Sequence, residues 1–306
     1  MFVGIDVSQE HLDVHVRPSK EAWREDNARE GLERLVKRLL ELKPKLVVLE
    51  ASGGFERDCS AALIVAGVPT AVVNPRQVRD FAKALGKLAK TDGVDAGVLA
   101  HFGEAVQPNE SVVDDEATVE LRALVDRRAQ LVEMRTMETN RKTLASAVMK
   151  KELDDHIRWL NTKIKDAERD ISGRIRKSKA WLEKANLLET AMGIGPTTSA
   201  KLIVDLPELG KVSHKRIAAL VGTAPFNDES GKYDGKRHCR GGRSDVRTAL
   251  YMSTLTAIRH DKSIGEFHRR LVAAGKPPKA AITACMRKLL THLNAMMRDQ
   301  CAWRPA

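Results

Sequence analysis

The five residues Leu46-Val47-Val48-Leu49-Glu50 constrain this chain more than any other segment. Four consecutive apolar residues after a Pro-Lys break read as a strand buried on both faces, the kind found in the middle of a parallel or mixed sheet. An acid that closes such a run sits where burial is costly unless the carboxylate is paired or liganded. The surrounding hundred residues fit an α/β domain. Phe2–Asp6 and Leu12–Arg17 read as short strands about a Ser/Gln/Glu turn, and Leu32, Leu35, Val36, Leu39 and Leu40 recur at helical spacing within a helix near residues 31–42. A helix from about Phe55 to Ala66, a strand over 69–73 and a helix opened by Asn74-Pro75 follow.

The pattern changes near Asp114. From there to Leu188 there is almost no Gly or Pro, and Leu153, Ile157, Leu160, Ile164, Ala167 and Ile171 alternate at four and three, the a/d spacing of a coiled-coil seam. An intramolecular helical hairpin and a dimer zipper bury that stripe equally well. The remainder, from about Thr190, is helical but punctuated. Three parts are therefore expected: 1–108 as an α/β domain, 109–188 as a long helical, coiled-coil region, and 189–306 as a mostly helical domain.

Charge divides along the same line. Residues 1–108 hold 15 Lys and Arg against 16 Asp and Glu, whereas the other 37 basic and 25 acidic residues leave a surplus of +12 in the rest of the chain. A basic surplus so confined suits a polyanion, because neutralising phosphates releases condensed counterions. Two segments suit a phosphodiester backbone. Gly193-Ile194-Gly195-Pro196 precedes a helix start and reads either as a plain loop or as a turn whose free amides point outward, as in a helix-hairpin-helix contact. Residues 230–244 form a glycine-rich loop carrying Lys232, Lys236, Arg237, Arg240 and Arg243. No run reaches the roughly 18 apolar residues of a spanning helix and no signal peptide is legible, so a cytoplasmic protein of a prokaryote, associated with the nucleoid and not with a membrane, is expected. The four scattered cysteines make no CxxC pair and read as reduced thiols.

The acids carry the chemistry. Asp6 and Glu50 each close a strand, so both can emerge at one sheet edge. Asp92 and Asp95 lie three apart at a helix start capped by Thr91, which sets them on one face. Four carboxylates brought together repel one another, and hard divalent cations relieve that repulsion through oxygen ligands. A pair of such ions about 4 Å apart serves phosphoryl displacement.

Val3-Gly4-Ile5-Asp6, Val48-Leu49-Glu50-Ala51-Ser52-Gly53, Val73-Asn74-Pro75 and Lys90-Thr91-Asp92-Gly93-Val94-Asp95-Ala96 resemble, in order, the motifs of the DEDD transposases of insertion-sequence family one-ten. The resemblance continues through Gly193-Ile194-Gly195, Ala218-Ala219-Leu220-Val221-Gly222, Glu229-Ser230-Gly231 and Arg247-Thr248-Ala249-Leu250-Tyr251. It implies a RuvC-like N-terminal domain of RNase H fold and a C-terminal transposase domain. It also implies Asp6, Glu50, Asp92 and Asp95 as ligands of Mg²⁺ (or Mn²⁺), and Ser230 as a nucleophile that forms a covalent phosphoserine link to DNA. Donor and target DNA, a bridge RNA that guides them, and a homo-oligomer, dimer or tetramer, whose acidic and serine sites come from different protomers, are implied with it. Gln9, where many relatives have lysine, and Phe226-Asn227-Asp228 depart from the pattern. Ser244 is the nearest rival to Ser230, but it reads as a helix cap. Three other readings share some of these features: a junction-resolving nuclease that uses only the acids, an actin-like ATPase, for which no second phosphate-binding glycine segment is found, and a non-enzymatic nucleic-acid scaffold.

Overall fold

A computed structural model describes residues 1–86, 92–111, 114–230, 233–235 and 237–304, and the side chains of 92–94 and 233–234 lie outside that description. The chain divides into two compact units, Met1–Asp115 and Glu116–Ala306.

The first unit is a five-stranded mixed sheet covered on both faces. In chain order it comprises β1 (Phe2–Val7), β2 (His11–Arg17), β3 (Ala22–Asp26), α1 (Arg29–Leu42), β4 (Leu46–Glu50), α2 (Glu56–Val65), β5 (Thr70–Val73), α3 (Pro75–Ala84) and α4 (Asp92–Val106). The strand order is β3-β2-β1-β4-β5: β1, β2 and β3 form an antiparallel meander, while β4 and β5 join β1 in parallel. β4 is buried along its apolar run as its composition requires. On one face Val3, Ile5, Leu12, Val14, Val47 and Leu49 pack on Leu35 and Leu39 of α1 and Cys59 and Leu63 of α2. On the other face Val48, Ala71 and Val73 meet Val78 of α3 and Val98, Leu99 and Phe102 of α4.

β3 was not foreseen. Ala-Trp-Arg-Glu-Asp carries too little apolar content to read as a strand, and it forms only because β2 offers a ladder. Its charges then blunt the exposed edge.

The second unit is mostly helical. It opens with α5 (Glu116–Leu144) and α6 (Ala147–Lys177), joined by two residues and therefore antiparallel. Cross-links between them, Arg128 to Glu168 and Arg135 to Asn161, keep one register along the pair. The expected stripe is buried within the chain: Leu160, Ile164 and Ala167 pack on Leu131 of α5, and Ile171 on Leu121 and Val125. Leu153 and Ile157, near the tip, are only half-buried.

α7 (Lys179–Glu189), α8 (Pro196–Asp205) and α9 (His214–Val221) follow. Next come the short strands β6 (Pro225–Phe226), β7 (Glu229–Ser230), β8 (Tyr233–Asp234) and β9 (His238–Cys239), then α10 (Ser244–His260), α11 (Lys262–Ala273) and α12 (Pro278–Asp299). The core of this unit gathers Leu202, Ile217, Val221, Val246, Leu250, Leu289 and Leu293 from α8, α9, α10 and α12. The segment expected as a loop is instead a ribbon, with β6 paired to β9 and β7 to β8, both antiparallel. Strands of two residues leave no period for a sequence reading to detect.

Candidate functional site

In the first unit one close approach sets the geometry. A Cβ on Gly4 would stand 2.1 Å from the carbonyl oxygen of Ala96 and 2.3 Å from the amide nitrogen of Ala100, so α4 lies directly on β1 because this residue has no side chain. Further along the helix, Gly103 lies against Val48 and Phe2. Contacts at Gly4 through residues 96–100 and at Phe2 through residue 103 mean that α4 runs opposite to β1. Its N-terminal end is thus directed to the carboxyl ends of β1 and β4.

Asp6 and Glu50 are at those strand ends. Alternation along β1 puts Asp6 on the face of Gly4, and alternation along β4 puts Glu50 on the face of Val48, which in both cases is the α4 face. The parallel register pairs Ile5 with Leu49, and its next step sets Asp6 beside Glu50. Asp95 immediately precedes the residue that meets Gly4, and Asp6, Glu50 and Asp95 are all half-buried. Asp92 is the first residue of α4; its side chain, like Thr91, lies outside the described residues. Sheet edge and helix start therefore bring the backbone positions of all four acids to one end of the unit. The partial positive charge of the α4 N-terminus favours carboxylates there. Among the described residues no group of three or more His, Cys, Asp or Glu side chains closes into a cage for an ion.

Two features of this end escaped the sequence reading. Glu56, buried at the start of α2, accepts hydrogen bonds from the amides of Ser52 and Gly54, each at 2.9 Å, and so shapes the loop that leaves Glu50. The Ser52 hydroxyl donates to the Glu50 carbonyl at 3.1 Å. Asp13 of β2 faces Asp6 directly in the register, and Arg24 of β3 holds it through two hydrogen bonds of 2.9 Å. Like charges opposite one another across a sheet destabilise it, and the guanidinium offsets that repulsion. Strand alternation was the available signal for Asp13, since Leu12, Val14 and Val16 point to the other face.

In the second unit Ser230 stands exposed in β7, opposite Tyr233. Beside it Arg237 donates to Glu229 at 3.2 Å, and the Gly235 amide closes the ribbon onto the Asp228 carbonyl at 2.8 Å. Arg240 is exposed and makes no ion pair among the described residues. Lys232 and Lys236 lie outside the described residues. Arg243 is engaged within the fold: its guanidinium donates to both carboxylate oxygens of Glu208 at 2.6 Å and to the Asp205 carbonyl at 3.0 Å. Burial pushes the Glu208 carboxyl up, but the hydrogen bonds from Arg243 outweigh it and hold that carboxyl below its usual range.

Gly193 also has a packing role. It adopts φ +91°, and a Cβ there would meet the Ser253 carbonyl oxygen at 2.4 Å, so α10 passes against this turn. Gly195 is the N-cap residue of α8 and has open space about it, which leaves the first turn of that helix accessible. Ser244 begins α10.

Comparison with known proteins gives two family matches. A model described as Transposase matches residues 3–146, and one described as Transposase IS116/IS110/IS902 family matches residues 185–269. Over 257 residues the chain is 29% identical to the pilin gene-inverting protein of Moraxella bovis, a span of 83% of this chain and 80% of that protein. The pilin gene-inverting protein of Moraxella lacunata matches with the same identity and coverage. The insertion element IS900 uncharacterized 42 kDa protein of Mycobacterium paratuberculosis is 31% identical over 169 residues, 53% of this chain and 40% of that protein.

Proposed function

The chain belongs to the IS110 family of transposases and is a DNA transposase or recombinase, and from that premise we propose that it cuts and rejoins DNA with two sets of residues. Asp6, Glu50, Asp92 and Asp95 form an acidic site for Mg²⁺ or Mn²⁺ in a RuvC-like domain of RNase H fold, and Ser230 is the nucleophile. The observation that carries the reading is the approach of α4 to β1 at Gly4, which directs the helix start bearing Asp92 and Asp95 to the strand ends bearing Asp6 and Glu50. An all-oxygen donor set of this kind suits a hard divalent cation. When bound, such ions supply positive charge to the attacking and leaving oxygens of a phosphoryl displacement.

The protein's own residues do the rest. The carboxylates fix the charge and position of the site. Arg24 keeps Asp13 from adding an unbalanced charge beside Asp6. Ser230 Oγ bonds to phosphorus as the bond from phosphorus to one sugar oxygen breaks, and the serine proton ends on that leaving oxygen. One phosphodiester is exchanged for another, so the reverse step rejoins strands without hydrolysis. An exposed serine on a β-ribbon, accessible to a DNA backbone, supports this role. Relatives named for inverting a pilin gene support exchange between two DNA segments over simple cutting. The basic surplus beyond residue 108 accommodates donor and target DNA and a bridge RNA, and a homo-oligomer joined through the helical middle region unites the two sites.

The test is a plasmid recombination assay with the flanking element DNA, comparing wild type, Asp92→Ala and Ser230→Ala with and without Mg²⁺. Both substitutions are expected to abolish recombination, with a covalent protein–DNA adduct seen only when Ser230 is intact. Normal recombination by Ser230→Ala would leave an acid-only nuclease as the better account.

A further inference from the structure

A cleft of about 440 Å³ opens at the base of the ribbon that carries Ser230, where α10, α12 and β9 meet. Arg247, Thr248 and Tyr251 enter it from one face of α10, Thr283 and Met286 from α12, and Cys239 from β9. Among the described residues that line it there is no carboxylate. Burial pushes the Cys239 thiol up, and the Arg287 and Arg247 guanidiniums pull it the other way.

Glycines build the wall. A Cβ on Gly242 would lie 2.2 Å from the amide nitrogen of Gly222, and one on Gly222 would lie 2.1 Å from the Gly241 carbonyl oxygen and 2.4 Å from Arg247 Nη1. Two backbone segments therefore touch, and Arg247 Nη1 reaches across them to donate to the carbonyls of Gly241 at 2.7 Å and Val221 at 3.1 Å. The guanidinium is thus held by one nitrogen. Its Nε and Nη2 edge, the fork that matches a phosphate, has no acceptor among the described residues.

We infer that this cleft is a nucleotide-binding subsite, in which Arg247 takes the phosphate of a single-stranded segment and Tyr251 and Met286 flank its base. A bare phosphate would leave most of the space and all of its apolar surface unused, whereas the volume is in the range of small-ligand sites, about 300–1,000 Å³. Base stacking on a tyrosine is tolerant of sequence. Cys239 pairs with Pro225, and Ser230 lies five residues further along the ribbon, so at about 3.3 Å per residue, with about 5 Å more across the strand pair, Cys239 is within about 22 Å of the serine. Its use in positioning the strand that Ser230 attacks rests on the reading above; the binding itself does not.

The experiment uses the full chain with a 5′-phosphorylated, fluorescein-labelled pentadeoxythymidylate, followed by anisotropy across a salt series, with unlabelled pentauridylate as competitor. Thr283→Trp adds bulk to the cleft from α12, away from the Val221 and Gly241 carbonyls that hold Arg247, and is expected to weaken binding at least tenfold. Arg247→Gln is expected to do the same and to flatten the log–log salt dependence by about 0.7, the share of one phosphate on a single strand. Because Arg247 also ties two backbone segments, iodoacetamide labelling of the wild type gives an independent reading: the pentamer should protect Cys239 and leave the exposed Cys301 labelled at its usual rate. Stronger competition by the ribo-pentamer would assign the subsite to a guide RNA, and weaker competition would assign it to DNA; either result supports the proposal. Unchanged affinity in Thr283→Trp together with unprotected Cys239 would overturn it. Ser230→Ala separates the two ideas, since it should bind the pentamer as wild type does even where it forms no DNA adduct. Loss of pentamer protection in a protein whose adduct still depends on Ser230 would sink the subsite alone.

Discussion

Replacing Gly4 with alanine tests whether the contact of α4 with β1 sets the acidic site. The new Cβ would lie 2.1 Å from the Ala96 carbonyl oxygen and 2.3 Å from the Ala100 amide nitrogen, both backbone atoms that no rotamer change can move. Real Cβ atoms essentially never come within 3.0 Å of another atom, so the helix must retreat by at least 0.9 Å at this crossing. Overpacking of this kind costs about 1–3 kcal/mol. For a unit of this size that lowers the unfolding temperature by about 4 °C per kcal/mol. The functional effect should be larger, because a displacement of about 1 Å in a catalytic group costs on the order of a hundredfold in rate. Plasmid recombination is therefore expected to fall about a hundredfold in Gly4→Ala, with more Mn²⁺ needed for half-maximal activity, while circular dichroism reports a folded protein. Gly97→Ala is the control on the same interface. Its Cβ would meet only the His15 ring at 3.6–3.8 Å, ordinary contact, so the variant should be as active as wild type and no less stable. Wild-type recombination by Gly4→Ala, or equal losses in the two variants, would refute the reasoning.

Both loop amides after Glu50 donate to the same Glu56 oxygen, Oε2, so Glu56→Leu, which removes that acceptor, should lose about 1–3 kcal/mol in urea unfolding, whereas Glu56→Gln, whose carbonyl oxygen can take its place, should lose less. Arg243 holds the Glu208 carboxyl below its ordinary value of 4.5, so the pair stabilises the fold above that pH and loses its contribution as pH falls through the lowered value; the stability gap between wild type and Glu208→Gln should close in acid. Burial, with Lys288, pushes the His292 imidazole below its ordinary 6.5, so stability should decline as pH falls below that value, and His292→Phe, which keeps the ring contact with Trp303, should remove that decline in thermal scans. Burial pushes Cys59 up to about 12 and Cys285 up to about 11, so a native thiol titration should count only the exposed Cys239 and Cys301, with the other two appearing on unfolding.

By itself the sequence determined everything that depends on local periodicity. The apolar run of β4, the helix stripes of α1 and α6 and the Asn74-Pro75 start of α3 are neighbours along the chain, and their spacing alone specifies strand or helix. Glu50 was legible as unusual for the same reason, as an acid that ends a buried strand. Ser230 was legible only through the resemblance, because Ser-Gly in a polar segment carries no physical signal of its own. What the tertiary structure decided involves residues far apart in the chain. β3 exists because β2 offers it hydrogen bonds. The stripe on α6 was open to a hairpin or a dimer until α5 was seen to cover it. Arg243, foreseen as a nucleic-acid contact, is held by Glu208, 35 residues away. Asp6, Glu50 and the start of α4 come to one end because Gly4 lets a helix some ninety residues later lie against β1, and a glycine in a strand does not announce what will pack on it. Periodicity reports which face of an element is buried, and only the packed fold reports against what.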